Sequence, residues 1–108
     1  MFIYMREKVK LYTHRPLKYF ATPILEILTD KIIFYFKEKK FTILYSDLAH
    51  YEKFKKYIIM KIRKNTKQDM LSISICPKSS KALNRIFDQL NIFYNDSIAY
   101  TKNPLLEK

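Results

Sequence analysis

The side chains best suited to chemistry in this sequence are lysines and arginines interleaved with aromatic rings. Lys53, Lys55, Lys56, Lys61, Arg63, Lys64 and Lys67 surround Tyr51, Phe54 and Tyr57. Such a mixture can neutralise phosphates while ring faces stack on bases. If residues 57–63 form a strand, Lys61 and Arg63 share one face beside a Lys64–Lys67 turn, and a phosphate could be gripped from two sides. A second cluster is Lys37, Lys39 and Lys40, with Lys8, Lys10, Arg15 and Lys18 as candidates to join it. The competing reading is that these lysines solvate strand edges and block edge-to-edge pairing, a common use of Lys. An AT-rich coding bias toward Lys, Ile and Tyr would produce the same abundance.

Other chemistry is thinly represented. His14 and His50 stand 36 residues apart with no Cys or carboxylate at metal-ligand spacing, so neither a metal nor a cofactor is expected. Cys76, just before Pro77, reads as a small apolar residue rather than a nucleophile. With one Cys there is no intrachain disulfide, and the apolar opening breaks at Arg6, so a cytoplasmic setting is expected. The sequence contains no Gly. A P-loop, a dinucleotide fingerprint, a nucleophile elbow and an EF-hand loop are thereby excluded. Turns fall to Asn, Asp, Lys and Pro, with Asp30, Asn65 and Asn95 the candidates for left-handed positions.

These residues must be carried by a single domain. The chain has 108 residues and a formal charge of +11. Its 48% hydrophobic content, with 9 Tyr and 8 Phe, is enough to build a core. Residues 1–67 hold 16 basic and 6 acidic side chains, against 5 and 4 over residues 68–108, so the basic field belongs to the first two thirds. The core is expected over about 8–94, with frayed ends at 1–6 and 96–108. No apolar run approaches the roughly 20 residues needed to span a bilayer.

Val9–Tyr12 alternates weakly and is followed by Pro16 and Pro23, which predicts a strand or edge segment. Ile24–Leu28 and Lys31–Lys37, separated by Thr29-Asp30, predict a hairpin, and the charged Lys37–Lys40 is the turn into a strand over Phe41–Tyr45. Residues 46–64 fit either a helix capped by Ser46 or strands, and the β-branched run Tyr57–Arg63 favours strands. Asn65–Asp69 then turns into Met70–Cys76, in which Leu71, Ile73 and Ile75 alternate with Ser72, Ser74 and Cys76. After Pro77, Ser79 or Ser80 caps a helix to about Leu90, with Leu83, Ile86, Phe87 and Leu90 on one stripe. The expected core is Ile27, Ile32, Phe34, Phe36, Ile43, Leu44, Ile58, Met60, Ile62, Leu71, Ile73, Ile75 and that stripe. Ile92–Tyr100 and Pro104-Leu105-Leu106 form an apolar tail that packs back on the domain or onto a partner.

This order resembles the PH-like barrel of small bacterial PH domains and YcxB-like proteins over Glu26–Leu90. Leu28-Thr29-Asp30-Lys31-Ile32-Ile33-Phe34 looks like their paired first strands. Thr42–Leu48 is similar to the strand leading into their Tyr-Ser-acid-aliphatic turn, and Ile75-Cys76-Pro77-Lys78, followed by Leu83, Ile86 and Leu90, resembles the exit into their closing helix. The departures are the absence of Gly and Trp and of the membrane-anchoring segments usual in such proteins. The resemblance implies an α+β fold, an antiparallel PH-like barrel or strongly bent sheet closed by one C-terminal amphipathic helix. It also implies a module that binds peptides, lipids or neighbouring subunits and is seldom an enzyme.

The expected function is therefore non-catalytic. Region 37–67 faces an acidic partner, either an acidic protein surface or nucleic acid. A peripheral anionic membrane, and a subunit role in a ribonucleoprotein, a mobile-element protein or another large assembly, are further readings. The enzymatic alternative is a small basic RNase resembling RelE-type toxins, with His50, Tyr51, Lys61 and Arg63 around a scissile phosphate. If the Lys61–Arg63 face carries the function, Lys61→Glu with Arg63→Glu abolishes partner binding, measured by titration, while leaving the circular dichroism spectrum unchanged.

Overall fold

A computed structural model describes residues 3–13, 18–63 and 70–102, with side chains over 5–13, 18–63 and 71–97. The chain is α+β, with eight antiparallel strands and one long helix among the described residues. The strands are β1 (Ile3–Thr13), β2 (Lys18–Ala21), β3 (Ile24–Leu28), β4 (Lys31–Tyr35), β5 (Lys40–Leu44), β6 (Leu48–Lys53), β7 (Ile58–Arg63) and β8 (Met70–Pro77); the helix is α1 (Ser80–Lys102). A 3-10 turn, Tyr45–Asp47, joins β5 to β6.

The strand order is β5-β4-β3-β1-β8-β7-β6, with β2 also on β1. Far from being an edge, the Val9–Tyr12 segment lies in the central strand. The prolines suggested an edge, but Pro23 falls in the break between β2 and β3, where no ladder N–H is needed, and its carbonyl accepts the Val9 N–H at 3.1 Å. Residues 3–8 of β1 pair with β3, and residues 9–13 pair with β8 on one side and, from Leu11, with β2 on the other. A register shift between Leu11 and Tyr12 accompanies the transition. Strand β1 is thus shared by two half-sheets.

The sheet must curl. Seven strands laid flat would hold β5 and β6 six spacings apart, roughly 29 Å. The path from Leu44 to Leu48 spans at most about 14 Å even when extended. The two edges therefore converge at the 3-10 turn. Tyr45 fastens this point: its hydroxyl donates to the Leu28 carbonyl at 2.8 Å, and its ring packs against Phe93 of α1, with centroids 6.4 Å apart.

Inside the curl lie Val9, Leu11, Leu25, Ile27, Ile32, Phe34, Ile43, Ile58, Met60, Ile73 and Ile75, closed over by Leu83, Ile86, Leu90 and Phe93. Ser79 caps the helix as expected, accepting the Ala82 N–H on Oγ at 3.1 Å. The helix then continues well past the expected end at Leu90 to Lys102, a length of about 34 Å where about 16 Å was expected. Phe93 extends the buried stripe by another turn, and Asn95 lies inside the helix, not at a turn. Ile92 is 53% exposed. Ile98, Tyr100 and Pro104–Leu106 lie outside the described side chains; of the ends expected to fray at 1–6 and 96–108, residues 3–6 belong to β1 and residues 96–102 to α1, and the others lie outside the described residues.

Leu44 is a correction to the expected core. It alternates with buried Ile43 and is 45% exposed, while Phe36, Leu71 and Phe87 are half-buried. On the opposite face of β3, buried Glu26 is held by Arg6 Nε at 3.4 Å and by the Tyr35 hydroxyl. No described helix is long and apolar enough to cross a membrane.

Burial, then the Asp30 carboxylate and the Tyr51 phenol, pushes the Tyr45 hydroxyl well above its ordinary pKa of 10.0. The unfolded chain releases this proton first, so the associated stability is fully present below pH 10.0 and is lost as pH rises toward the folded value. Tyr45→Phe is expected to cost about 1 kcal/mol at neutral pH through the lost hydrogen bond. Urea melts should also show a shallower alkaline decline than in the parent; parallel pH curves would remove Tyr45 from this role.

Candidate anion-binding site

Strand β8 ends at Pro77, and the chain passes through Lys78-Ser79 into the first turn of α1. Beside this exit are residues 8–10 of β1 and the tip of the β6–β7 hairpin. That hairpin turns through Phe54-Lys55-Lys56-Tyr57, closed by the Phe54 N–H donating to the Tyr57 carbonyl at 2.8 Å. The two rings stack at 5.1 Å and 18°, leaving Lys55 and Lys56 at the apex.

These segments enclose a cavity of about 480 Å³. Its apolar floor includes Val9, Pro77 and Leu83. Around it stand Lys8, Lys10, Lys55, Lys56 and Lys78, with Thr22, Ser79 and Ser80, and no carboxylate is among the lining residues. All five lysines are exposed, and among the described residues none makes an ion pair. The N-terminal end of α1 adds partial positive charge in the same place. The Thr22 hydroxyl shares a 2.6 Å hydrogen bond with Tyr19, and Ser79 Oγ receives the helix-capping bond, so among the described residues Ser80 supplies the hydroxyl of the cavity without a hydrogen bond.

Other basic groups are tied to structure. Arg85 Nη2 lies 2.5 Å from Glu7 Oε2, and Arg6 holds Glu26. Arg63 Nη1 donates to the Ser46 carbonyl at 3.0 Å, restraining the 3-10 turn. Lys53 Nζ donates to Asn84 Oδ1 at 3.0 Å and sits 5.2 Å from the centre of the Phe87 ring. It clasps β6 to the helix.

The sequence-derived cluster is therefore divided. Lys55 and Lys56 join the cavity, and Tyr57 flanks them with its ring stacked on Phe54. Lys61 and Arg63 do share an exposed face of β7, but their expected companions Lys64 and Lys67, and the Asn65–Asp69 turn, lie outside the described residues. Tyr51 is half-buried under α1, edge-on to Phe87 and Tyr94, and its hydroxyl donates to Asn91 Oδ1. Burial, then Tyr94, raises its pKa above the ordinary phenol value. Tyr51 is a packing residue in this position, not an exposed stacking platform. It is also directed away from exposed His50, Lys61 and Arg63, so the four groups of the RNase constellation do not converge.

Lys37, Lys39 and Lys40 occupy the β4–β5 hairpin, where Lys40 already begins β5 and the turn is closed by Phe36 N–H to Lys39 C=O at 2.8 Å. Lys8 and Lys10 do not join them; the bend of the sheet brings this pair to Lys55 and Lys56. Lys18 is exposed on β2, and His14 and Arg15 lie outside the described residues. Half-buried Cys76 lines the cavity, and among the described residues no group of His, Cys, Asp or Glu could hold a metal ion.

Lys78, Ser80 and Thr22 belong to the site without having stood out in the sequence. Their signal was the run Pro77-Lys78-Ser79-Ser80, a cation and hydroxyls at a helix entry, which local pattern explains by capping alone. Comparison with protein-family models and with curated proteins returns no match to this chain.

Lys53→Ala should weaken the helix clasp and lower stability by about 0.5–1 kcal/mol in chemical denaturation. Titration with a short single-stranded oligonucleotide should find its affinity unchanged within about twofold; a larger loss would assign Lys53 to the anion site.

Proposed function

We propose that this chain is a non-catalytic interaction module that binds a phosphate-bearing partner, single-stranded nucleic acid in particular. One observation carries the reading: five lysines without an ion pair among the described residues converge on a concave, hydroxyl-lined cavity from which carboxylates are absent. Solvated edge lysines would repel one another and disperse. A cluster around a hollow leaves a field of one sign focused where an anion can enter.

The concavity favours a thin, flexible polyanion over the acidic face of a folded protein. A phosphodiester strand can place successive phosphates into the hollow, whereas a convex protein surface reaches only its rim. The exposed faces of Phe54 and Tyr57 beside Lys55 and Lys56 suit base stacking at the same edge. The bent antiparallel sheet covered by one helix supports a PH-like barrel, a fold that serves as a scaffold for binding loops. The free thiol of Cys76 suits a cytoplasmic setting.

The test is binding to fluorescent single-stranded RNA, single-stranded DNA, duplex DNA and polyglutamate across a salt series. Engagement of five phosphates gives a log–log salt slope of about −3.5 on single strands, with a preference over duplex and polyglutamate. Lys10→Glu with Lys56→Glu should lower single-strand affinity at least about 10-fold, a greater loss than Lys61→Glu with Arg63→Glu produces. Equal, weak binding to all four probes that vanishes near 0.15 M salt would overturn the nucleic-acid reading. A greater loss from the Lys61 and Arg63 pair would return the site to the outer face of β7.

A further inference from the structure

A second hollow lies at the other end of β8, roughly 15 Å along the strand from the lysine cavity. Its volume is about 350 Å³. Leu11, Leu71 and Ile73 form its floor, all on the inner face of the curled sheet. Phe20, Phe36 and Phe41 wall it, with Phe20 edge-on to Phe36 at 5.7 Å and Phe41 stacked on Phe34 at 6.5 Å. Lys39 and Lys40 line it from the β4–β5 hairpin.

Two features set this place apart from an ordinary gap in packing. Phe20 is 56% exposed and Phe41 38%, so large apolar rings face water at the mouth of the core. The lysines at the same mouth have no anionic partner among the described residues. An apolar hollow with unpaired cations at its edge is complementary to a molecule with an apolar body and an anionic head.

We infer that this hollow binds a single-chain anionic amphiphile, a medium-chain fatty acid, with its alkyl chain among the phenylalanines and its carboxylate at Lys39 and Lys40. The volume lies at the low end for small-molecule sites and suits one short chain, not a two-tailed lipid. Each further methylene buried should raise affinity about fourfold. The gain should stop once the chain outgrows the hollow.

Calorimetric titration of the full chain with hexanoate, octanoate, decanoate and decanol, below their aggregation thresholds, tests this. The expected result is one saturable site, affinity rising with chain length, and decanoate binding more tightly than decanol. Lys39→Gln with Lys40→Gln should remove the advantage of decanoate while leaving decanol unchanged. Phe20→Ser, at a position exposed enough to keep the fold, should weaken both at least about fivefold. Binding independent of chain length, no saturable site, or an unchanged preference in the lysine variant would overturn the inference. So would a dimer in sedimentation that Phe20→Ser abolishes, since the hollow would then be covered by a second copy of the chain.

Discussion

The rest of the structure depends on one short connection. Tyr45–Asp47 links the two outermost strands of the sheet, and three residues cannot bridge the width of a flat seven-strand array. Curvature is therefore imposed by chain length as well as by strand twist. The bend is absorbed in β1, whose first part belongs to one half-sheet and whose last part belongs to the other, with the Leu11–Tyr12 irregularity and the Thr22-Pro23 break beside it. Tyr45 and the helix then hold the curl: the phenol is bonded to the end of β3 and its ring is covered by Phe93.

Curling also sorts the charge. Along the sequence the lysines look like one basic region, but the bend places Lys8 and Lys10 beside Lys55 and Lys56, and leaves Lys39 and Lys40 at a different mouth. The cations that stabilise the fold are mostly separate from those that remain open. Arg6, Arg63 and Arg85 each have a carboxylate or carbonyl, and Lys53 has an amide and a ring. Arg suits such fixed contacts because its planar donor fork loses less freedom per hydrogen bond, whereas Lys is a mobile point charge better suited to meeting phosphates in several geometries.

Much of the fold could be read from periodicity. The β3–β4 hairpin, the alternation of Leu71, Ile73 and Ile75, the strand assignment for residues 57–63 and the Ser79 cap all followed from local pattern, because each is decided within a few residues. Central β1 was not legible, since its role arises from partners beginning at residue 18 and at residue 70, and its own alternation is diluted by Lys8 and Lys10. The helix end was missed because Asn95 read as a turn candidate, while Phe93 packing on Tyr45 is a tertiary contact. At the candidate site, the sequence displayed the lysines of the β6–β7 hairpin but not their neighbours. Tyr51 was misjudged for a similar reason: an aromatic beside lysines has the same local signature whether it meets a base or a helix.

The sharing of β1 bears on how the molecule assembles. In the half-sheet of β1, β3, β4 and β5, the β3–β4 and β4–β5 pairings are hairpins and β1 meets β3 across only the short β2 segment, so these pairings close short loops at small entropic cost. The other half waits for β8, whose ladder with β1 joins residues as far apart in sequence as Val9 and Pro77. Until that ladder and α1 arrive, the inner face carrying Leu25, Ile27, Ile32 and Phe34 has no cover. Contact order therefore points to the docking of β8 on a strand already half occupied as the costliest closure of the fold, and the basic charge concentrated in the early segments opposes association of chains whose inner face is still uncovered.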